Sequence, residues 1–546
     1  MRLPVVRIDL GRFSRMVGVT QTKALDRLPY IGLDIEGTER DSVRVEYSPN
    51  RPDYGTDFGI ARSLKGLIEK EVGMPQYSAQ PSGISISVDR KLSSVRPFIA
   101  CATATGLHLD GEDVRQIISL QEDLHNGLGR KRSRVAIGLH DLRAVKPPLA
   151  YVAVGSDFRF TTLGGTGPTT ITRVLSETTE GKTYGQILRG KRFFPIIKDS
   201  RGEVLSFPPV INGELTRVTT ETRKMLVEVT STDRKAGDDV LAIMATTLAE
   251  AGGKMGTVSI EYPEETRTTP DLSPVHLPLD LDLICTGLGL ELTKRQVVEA
   301  LGRSRLSVRG NTAYASRYRI DLLHPIDLAE EVALGYGIDM FESIYPPSHQ
   351  PGSFHPFEQF LDSTATVMAS SGMVELMTFE LVDEDSLYAR FGRPSDRKIT
   401  VHEPRSLEHS VLRDSLIPNL MAALSGNVKS EYPQRVFEIG RVYERREAGI
   451  SEAWHLGCLV AHSQASYSEA KMYAESIYRT LAGKEIGAKE SQSWAFAPGR
   501  CAALVSSGGT LGHVGELKPE TIDAFGLKVP VSGFELDLSA IYKQLK

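Results

Sequence analysis

Four carboxylates crowd one short stretch of this chain, RIDLLHPIDLAEEVALGYG. Pro325 followed by Asp327 marks a helix start, and on that helix Asp327, Glu330 and Glu331 stand at i, i+3 and i+4, which is one face. Asp321, on the extended segment just ahead, can fold toward the same spot. Four oxygen-donor groups converging with no lysine or arginine nearby suit a hard cation, and carboxylates with room for water favour Mg2+. The same acids have a plainer use. Carboxylates in the first turn of a helix are favoured by its macrodipole, and Asp-x-x-Glu can simply cap it. The stretch alone leaves both uses open.

Holding such a set takes a folded module, and the flanking residues supply one. Thr293 and Gln296 make a capping-box start for TKRQVVEALG, strand-like stretches follow at RLSVR and YRIDL, and the acidic helix closes a winged-helix-like unit. At 546 residues the chain is too long for one core, so several modules are expected. Residues 1–85 read as a small α/β module in which the polar turn SPNRPDYGTDFG joins a strand to the amphipathic helix IARSLKGLIEKEVG. Residues 86–268 mix strands such as ISISVD, ACATATGLHL, VLSFPPVI and KMLVEVT with helices near 112–128 and 238–251, which predicts α+β rather than a doubly wound sheet. The linker EYPEETRTTPDLSP leads into the winged-helix-like unit at 269–346. The proline-rich joint IYPPSHQPGSFHP then opens a last module at 347–546.

Bulk chemistry narrows the function classes. With 40% hydrophobic and 24% charged residues, and no apolar run of the ~18 residues a membrane helix needs, a soluble chain is expected. The start MRLPVVRID turns charged too soon for an export signal, which makes the cytoplasm the expected compartment. Cys101, Cys285, Cys458 and Cys501 are far apart without a CxxC pair, and fit neither a disulfide framework nor a structural zinc site. A net charge of −5 argues against general polyanion binding, so any nucleic-acid contact must be local. One stretch qualifies. GRKRSRVAIGLHDLRAVK carries Arg130, Lys131, Arg132, Arg134, Arg143 and Lys146 against Asp141, about +5 by count, although a solvated face is the plainer reading.

The acidic stretch resembles the signature of the B5 module of phenylalanyl-tRNA synthetase β subunits: an Asp, then Asp-x-x-Glu-Glu six residues on, with Asp321, Asp327, Glu330 and Glu331 in register. In that family the acids are assigned to a magnesium ion, so the resemblance implies Mg2+ at these four residues. VEYSPNRPDYGTDFGIARSLKG, GRKRSRVAIGLHDL, VLSFPPVINGELTRVTTET, PRSLEHSVLRDSLIPNL, PQRVFEIGRVY and LGHVGELKPETIDAFGL are similar to segments of the same family in the same order. The likeness therefore covers nearly the whole chain. Little follows FELDLSAIYKQLK, where bacterial relatives append an anticodon-binding domain, and the shorter layout resembles the archaeal and eukaryotic branch.

The resemblance implies a fold and a division of labour. Residues 86–268 correspond to a B3/B4 editing domain, which in this family hydrolyses tRNA(Phe) wrongly charged with tyrosine. An apolar pocket built for phenylalanine cannot strongly reject an isostere that only adds a hydroxyl, so a second site must select that hydroxyl. Candidates for bonding the phenol are Ser206, Asn212, Thr216 and Glu228, although Asn212-Gly213 is equally a good turn dipeptide. Candidates for contact with the tRNA end are His125, Arg130, Arg132 and His140, each also readable as part of a solvated face.

The last module resembles B6/B7, a degenerate class II synthetase-like antiparallel sheet with helices. ATP chemistry needs fixed cations on the phosphates, yet RVFEIGRVY offers Glu438 without an Arg-x-Glu arrangement, and the only late Gly-Arg is Gly499-Arg500. The expectation is that ATP and phenylalanine are bound by an α subunit in an α2β2 phenylalanine–tRNA ligase. Arg413, Leu416 and Leu420 are suited to a helix packed in that pairing. The rival readings are a free-standing deacylase of mischarged tRNA and a non-enzymatic RNA-binding assembly subunit.

Overall fold

The computed structural model describes residues 3–346, 351–447 and 449–546; residues 347–350 of the proline-rich joint lie outside them. Two compact units divide the chain, Met1–Ile344 and Tyr345–Lys546. No helix among the described residues is long and apolar enough to cross a membrane.

The first unit opens with three antiparallel strands, Val5–Asp9, Ser42–Glu46 and Asp34–Thr38, in the order first, third, second. Alternation sends Val6, Ile8, Val43 and Val45 into a core with Phe13, Val17 and Leu64. Thr56 caps the helix Asp57–Leu67, its hydroxyl accepting from Gly59 N at 3.3 Å. The polar turn before it is exposed only at Ser48, Pro49 and Asn50, while Asp53, Thr56 and Asp57 are buried.

Ten strands build the large sheet. Nine run in the order Ile211–Asn212, Val204–Phe207, Phe194–Lys198, Leu149–Val154, Ala79–Val88, Lys254–Glu261, Phe98–Thr105, Lys224–Ser231, Val135–Asp141. The tenth, Thr266–Thr269, lies within the expected linker and pairs back on Lys254–Glu261. Ala79–Val88 begins ahead of residue 86 and belongs wholly to this sheet. Val135–Asp141, expected only as part of a basic stretch, is a fully buried strand.

Helices Gly111–Asn126 and Arg234–Glu250 cover one face, where Ile117, Leu120, Leu124, Val240 and Met244 meet Ile137, Val227 and Val229. Burial of such side chains stabilises by roughly 1.5–3 kcal/mol each. The strand period of two then sends Leu226, Glu228 and Thr230 to the other face. The sheet is curled so that its two ends meet. Ser206 Oγ, on the second strand in order, donates to Glu228 Oε1, on the eighth, at 2.8 Å.

Val275–Pro278, Thr312–Ala315 and Ser307–Arg309 form the small wing sheet beside helices Leu281–Leu288, Lys294–Arg303 and Asp327–Tyr336. Thr293 and Gln296 do form the capping box. YRIDL is not a strand; Tyr318 and Arg319 are fully buried, and the second wing strand is Thr312–Ala315.

In the second unit a seven-stranded sheet runs Val374–Glu375, Gln434–Arg446, Gly449–Ala461, Val531–Asp537, Gly509–Leu517, Phe496–Ser506, Gly487–Glu490. It is antiparallel except for the pairing of Val374–Glu375 with Gln434–Arg446. Pro356–Ser370, Tyr467–Ala482 and Leu538–Leu545 contribute Leu361, Met368, Ala474, Ile477 and Ile541 to its core. Here one expectation is corrected. The helix begins only at Ile417, and Arg413, Leu416 and Leu420 are at most 2% exposed within the unit itself, so they are not a surface on offer to a partner.

Candidate functional site

Where the ends of the curled sheet meet, a cavity of about 490 Å³ opens, a size typical of small-molecule sites. Ser206, Asn212, Thr216 and Glu228 all border it, together with His125 and Arg132, while Ile137, Leu139, Phe207 and Val210 supply apolar wall. Residues scattered from 125 to 228 are thus gathered by the curl, with Asn212 Nδ2 only 3.5 Å from Leu139 O across the gap.

Glu228 is the polar centre. It is 2% exposed; Oε1 accepts from Ser206, and Oε2 is buried without a hydrogen-bond partner. His140 is wholly buried behind it. Nδ1 bonds Thr216 Oγ1 at 2.8 Å, while Nε2 has no partner and lies 3.8 Å from Glu228 Oε1. A buried polar atom left unpaired costs about 1–3 kcal/mol, so Glu228 Oε2, on a residue that borders the cavity, is poised for a polar group.

Gly138 lies directly against both side chains. It pairs with Glu228 across the strands, and a Cβ there would stand 2.4 Å from Glu228 Oε1 and 2.6 Å from His140 Nε2. Behind Glu228, fully buried Arg96 donates to Thr230 Oγ1 at 2.9 Å and to Thr230 O at 2.7 Å. Among the described residues it has no carboxylate within ion-pair distance. Burial pulls its guanidinium down to about 10 against the attraction of Tyr151 and Glu228. Neither Gly138 nor Arg96 was singled out from the sequence; a glycine inside a strand was the available sign for the first.

The four expected tRNA contacts divide. His125 is 2% exposed and both ring nitrogens are occupied. Nε2 accepts from Ile137 N at 2.8 Å, so Nδ1 carries the proton to Glu122 at 3.1 Å, and burial holds the ring's pKa below its ordinary value. It is a fixed wall element. His140 faces the interior, beside Glu228. Arg132 spans the rim, donating to Val210 O at 3.1 Å and Glu122 at 2.9 Å while stacking 4.2 Å from the Tyr184 ring. Arg130 alone is exposed, in a run with Lys131 and Arg132 that has positive φ throughout, an unfavourable conformation for three non-glycine residues.

The carboxylate set is corrected by a cation the spacing argument overlooked. Arg319, two residues ahead of Asp321, is buried and lays its fork between Asp321 (Nε to Oδ1 2.9 Å, Nη2 to Oδ2 2.7 Å) and Glu331 (Nη1 to Oε2 3.1 Å). Burial alone would lower the Arg319 pKa, yet these two acids hold it well above its ordinary value. Asp327 accepts from the N–H groups of Leu323 and His324 in the turn ahead of its helix, both at 2.7 Å, and Glu330 is exposed. Asp321, Asp327, Glu330 and Glu331 therefore do not converge on one ion. Among the described residues no group of three or more His, Cys, Asp or Glu could hold a metal.

Arg319 belongs to a wider junction. Asp53 of the SPNRPD turn pairs with Arg51 at 2.9 Å and Arg62 at 3.0 Å, and Arg62 stacks 3.6 Å from the Tyr318 ring. Burial would raise the Asp53 carboxyl, but Arg51, Arg62 and Arg319 together hold it below its usual range. The second unit treats its conspicuous charges alike. Glu438 is buried against Arg413 at 2.6 Å, and Arg500 pairs with Glu516 at 2.5 Å.

Residues 277–338 match the family model described as tRNA synthetase B5 domain, and residues 342–538 match that of the phenylalanyl tRNA synthetase beta chain CLM domain. With the α+β multidomain plan, these matches define the class as an aminoacyl-tRNA synthetase subunit. The chain is 38% identical to the phenylalanine–tRNA ligase beta subunit of Archaeoglobus fulgidus over 99% of both chains. It is 35% identical to that of Methanococcoides burtonii over 98% of this chain and all of the other. A crystal structure of an N-terminal fragment of the phenylalanyl-tRNA synthetase β subunit from Pyrococcus horikoshii matches 61% of this chain and 99% of the fragment, with a TM-score of 0.59 and 32% identity. The chain belongs to the phenylalanine–tRNA ligase beta subunit family, and it is part of a ligase that charges tRNA with phenylalanine.

Proposed function

We propose that the 490 Å³ cavity is a hydrolytic editing site that removes tyrosine from Tyr-tRNA(Phe). The observation that carries this reading is Glu228, which borders the cavity with Oε2 buried and without a hydrogen-bond partner. A phenol against Glu228 donates to that carboxylate. Phenylalanine in the same place leaves it unpaired, a difference of about 1–3 kcal/mol. Phe207, Val210 and Leu139 suit the aromatic ring, and Asn212 and Thr216 lie where the ester can be oriented. Water adds to the ester carbonyl, the bond to the ribose oxygen breaks, and that oxygen takes up a proton.

Activation of phenylalanine with ATP and Mg2+ is assigned to a separate α subunit in a cytoplasmic α2β2 assembly. The pairing of Arg413 with Glu438 and of Arg500 with Glu516 supports this division, since those cations are already engaged. Mg2+ is placed with the nucleotide on α rather than on the B5 acids. Four modules remain the working division of labour, with the bounds 85/86 and 268/269 moved so that strands Ala79–Val88 and Thr266–Thr269 both stay with the second module.

The test compares the purified chain, alone and with α, on phenylalanine, ATP, tRNA(Phe) and Tyr-tRNA(Phe). Charging should require α, and hydrolysis of Tyr-tRNA(Phe) should fall at least tenfold in Glu228→Gln and Asn212→Ala. Charging by the isolated chain refutes the division of labour. Variants that leave hydrolysis at the wild-type level favour an assembly subunit, and a stable, fully active monomer favours a free-standing deacylase.

A further inference from the structure

The fold consumes much of the basic stretch on which the sequence argument rested. Arg132 pairs with Glu122 at 2.9 Å, Arg134 with Asp233 at 2.7 Å and Arg143 with Asp141 at 2.8 Å. A second group of cations is treated differently. Residues 181–198, GKTYGQILRGKRFFPIIK, contain no acid. Lys182, Arg189, Lys191 and Arg192 are exposed, and among the described residues none makes an ion pair. Lys191 is tethered only to a carbonyl, that of Ser94, at 2.7 Å.

Three of them, Lys182, Arg189 and Lys191, border a groove of about 370 Å³, with Arg192 next in the chain. Gly190, also on the groove, has open space where a Cβ would stand, which lets a ligand backbone approach closely. The groove adjoins the cavity through one continuous segment, because Glu180 lines the cavity, Gly181 lines the groove, and Tyr184 carries the stacked Arg132 of the cavity rim. Clustered like charges repel one another unless a polyanion neutralises them.

We propose that Lys182, Arg189, Lys191 and Arg192 form a phosphate-binding track for the RNA strand whose aminoacylated end enters the cavity. This rests on the editing reading for the identity of the RNA, but the track itself is a binding surface. Phosphate contacts of this kind fix register and orientation and carry no base preference.

The test uses the α-containing complex with the four residues changed together, K182Q/R189Q/K191Q/R192Q. Three quantities are read: the salt dependence of tRNA(Phe) binding, KM and kcat for Tyr-tRNA(Phe) hydrolysis, and hydrolysis of 3′-tyrosyl-adenosine, which has no phosphate. Losing four phosphate contacts should lower the slope of log Kd against log salt by about 3 and raise KM roughly tenfold at moderate salt, with kcat and tyrosyl-adenosine hydrolysis within twofold of wild type. An unchanged salt slope overturns the track while leaving the editing reading intact. A parallel loss on tyrosyl-adenosine overturns it too, because the residues would then support the cavity rather than the RNA. If the wild type hydrolyses neither substrate, the editing reading fails and the binding slope alone still decides for or against the track.

Discussion

Replacing Gly138 with alanine adds one methyl group to an ordinary strand position, so its effect can be worked from the geometry. The new Cβ would lie 2.4 Å from Glu228 Oε1, 2.9 Å from Glu228 Cδ and 2.6 Å from His140 Nε2. Non-bonded contact needs about 3.5 Å, so the carboxylate must retreat by roughly 1 Å. That stretches the 2.8 Å bond from Ser206 beyond hydrogen-bonding range. A hydrogen bond to a charged group contributes about 1.5–3 kcal/mol, and overpacking of this size costs a similar amount, so the melting temperature should fall by several degrees.

The larger effect falls on the substrate. The displaced carboxylate no longer stands where the phenol meets it, removing that bond. At 1.4 kcal/mol per tenfold, about 1.5–3 kcal/mol of lost stabilisation lowers kcat/KM for Tyr-tRNA(Phe) about 10- to 150-fold. The assay is single-turnover deacylation by the complex with α, beside aminoacylation by the same preparation, which should not change. Tyr-tRNA(Phe) hydrolysis within threefold of wild type in Gly138→Ala would falsify the placement of the phenol.

Removing Arg319 as Arg319→Met leaves Asp321 and Glu331 buried without their cation and should destabilise the first unit by about 3–5 kcal/mol in denaturant titration. EDTA should leave the wild-type midpoint unmoved, whereas a clear drop on chelation would restore the metal reading of the B5 acids. Arg413→Met should cost a comparable amount in the second unit by stranding Glu438, with the double variant R413M/E438L less destabilised than R413M; equal losses would mean the pair is not coupled. In the same unit His455 Nδ1 lies 2.6 Å from Glu535. Burial works to lower the imidazole, but Glu535 raises its pKa above the ordinary value, while Glu535 itself is held below its own despite burial. The histidine contribution is therefore complete below ~6.5 and lost as pH rises through the higher folded value; the glutamate contribution is lost as pH falls from ~4.3 through the depressed one. Denaturant midpoints should decline from pH 6 toward pH 9, and a decline that persists unchanged in His455→Gln would assign it elsewhere.

Family, module order and local starts were legible in the residues. The Thr293 and Gln296 capping box, the helix after SPNRPD and the strand KMLVEVT depend on neighbours within a few positions, where periodicity and capping chemistry act. Ser206, Asn212, Thr216 and Glu228 were legible as polar residues among apolar ones in a segment resembling an editing module, and all four border one cavity.

What lay beyond local reach was set by contacts between distant segments. Spacing on one helix turn placed the B5 acids on a common face, but only the packed module turns Arg319 onto Asp321 and Glu331 and points Asp327 back at the turn before its helix. SPNRPD was legible as a polar strand-to-helix turn, but only the fold buries Arg51, Asp53 and Arg62 and sets Arg62 on the ring of the distant Tyr318. Composition showed where positive charge is dense; only the fold pairs Arg132 with Glu122 and Arg134 with Asp233 while Lys182, Arg189, Lys191 and Arg192 make no ion pair among the described residues. A residue's neighbours along the chain determine its conformation and its face, whereas the curl of a ten-stranded sheet decides which charges and unsatisfied atoms share one enclosed space.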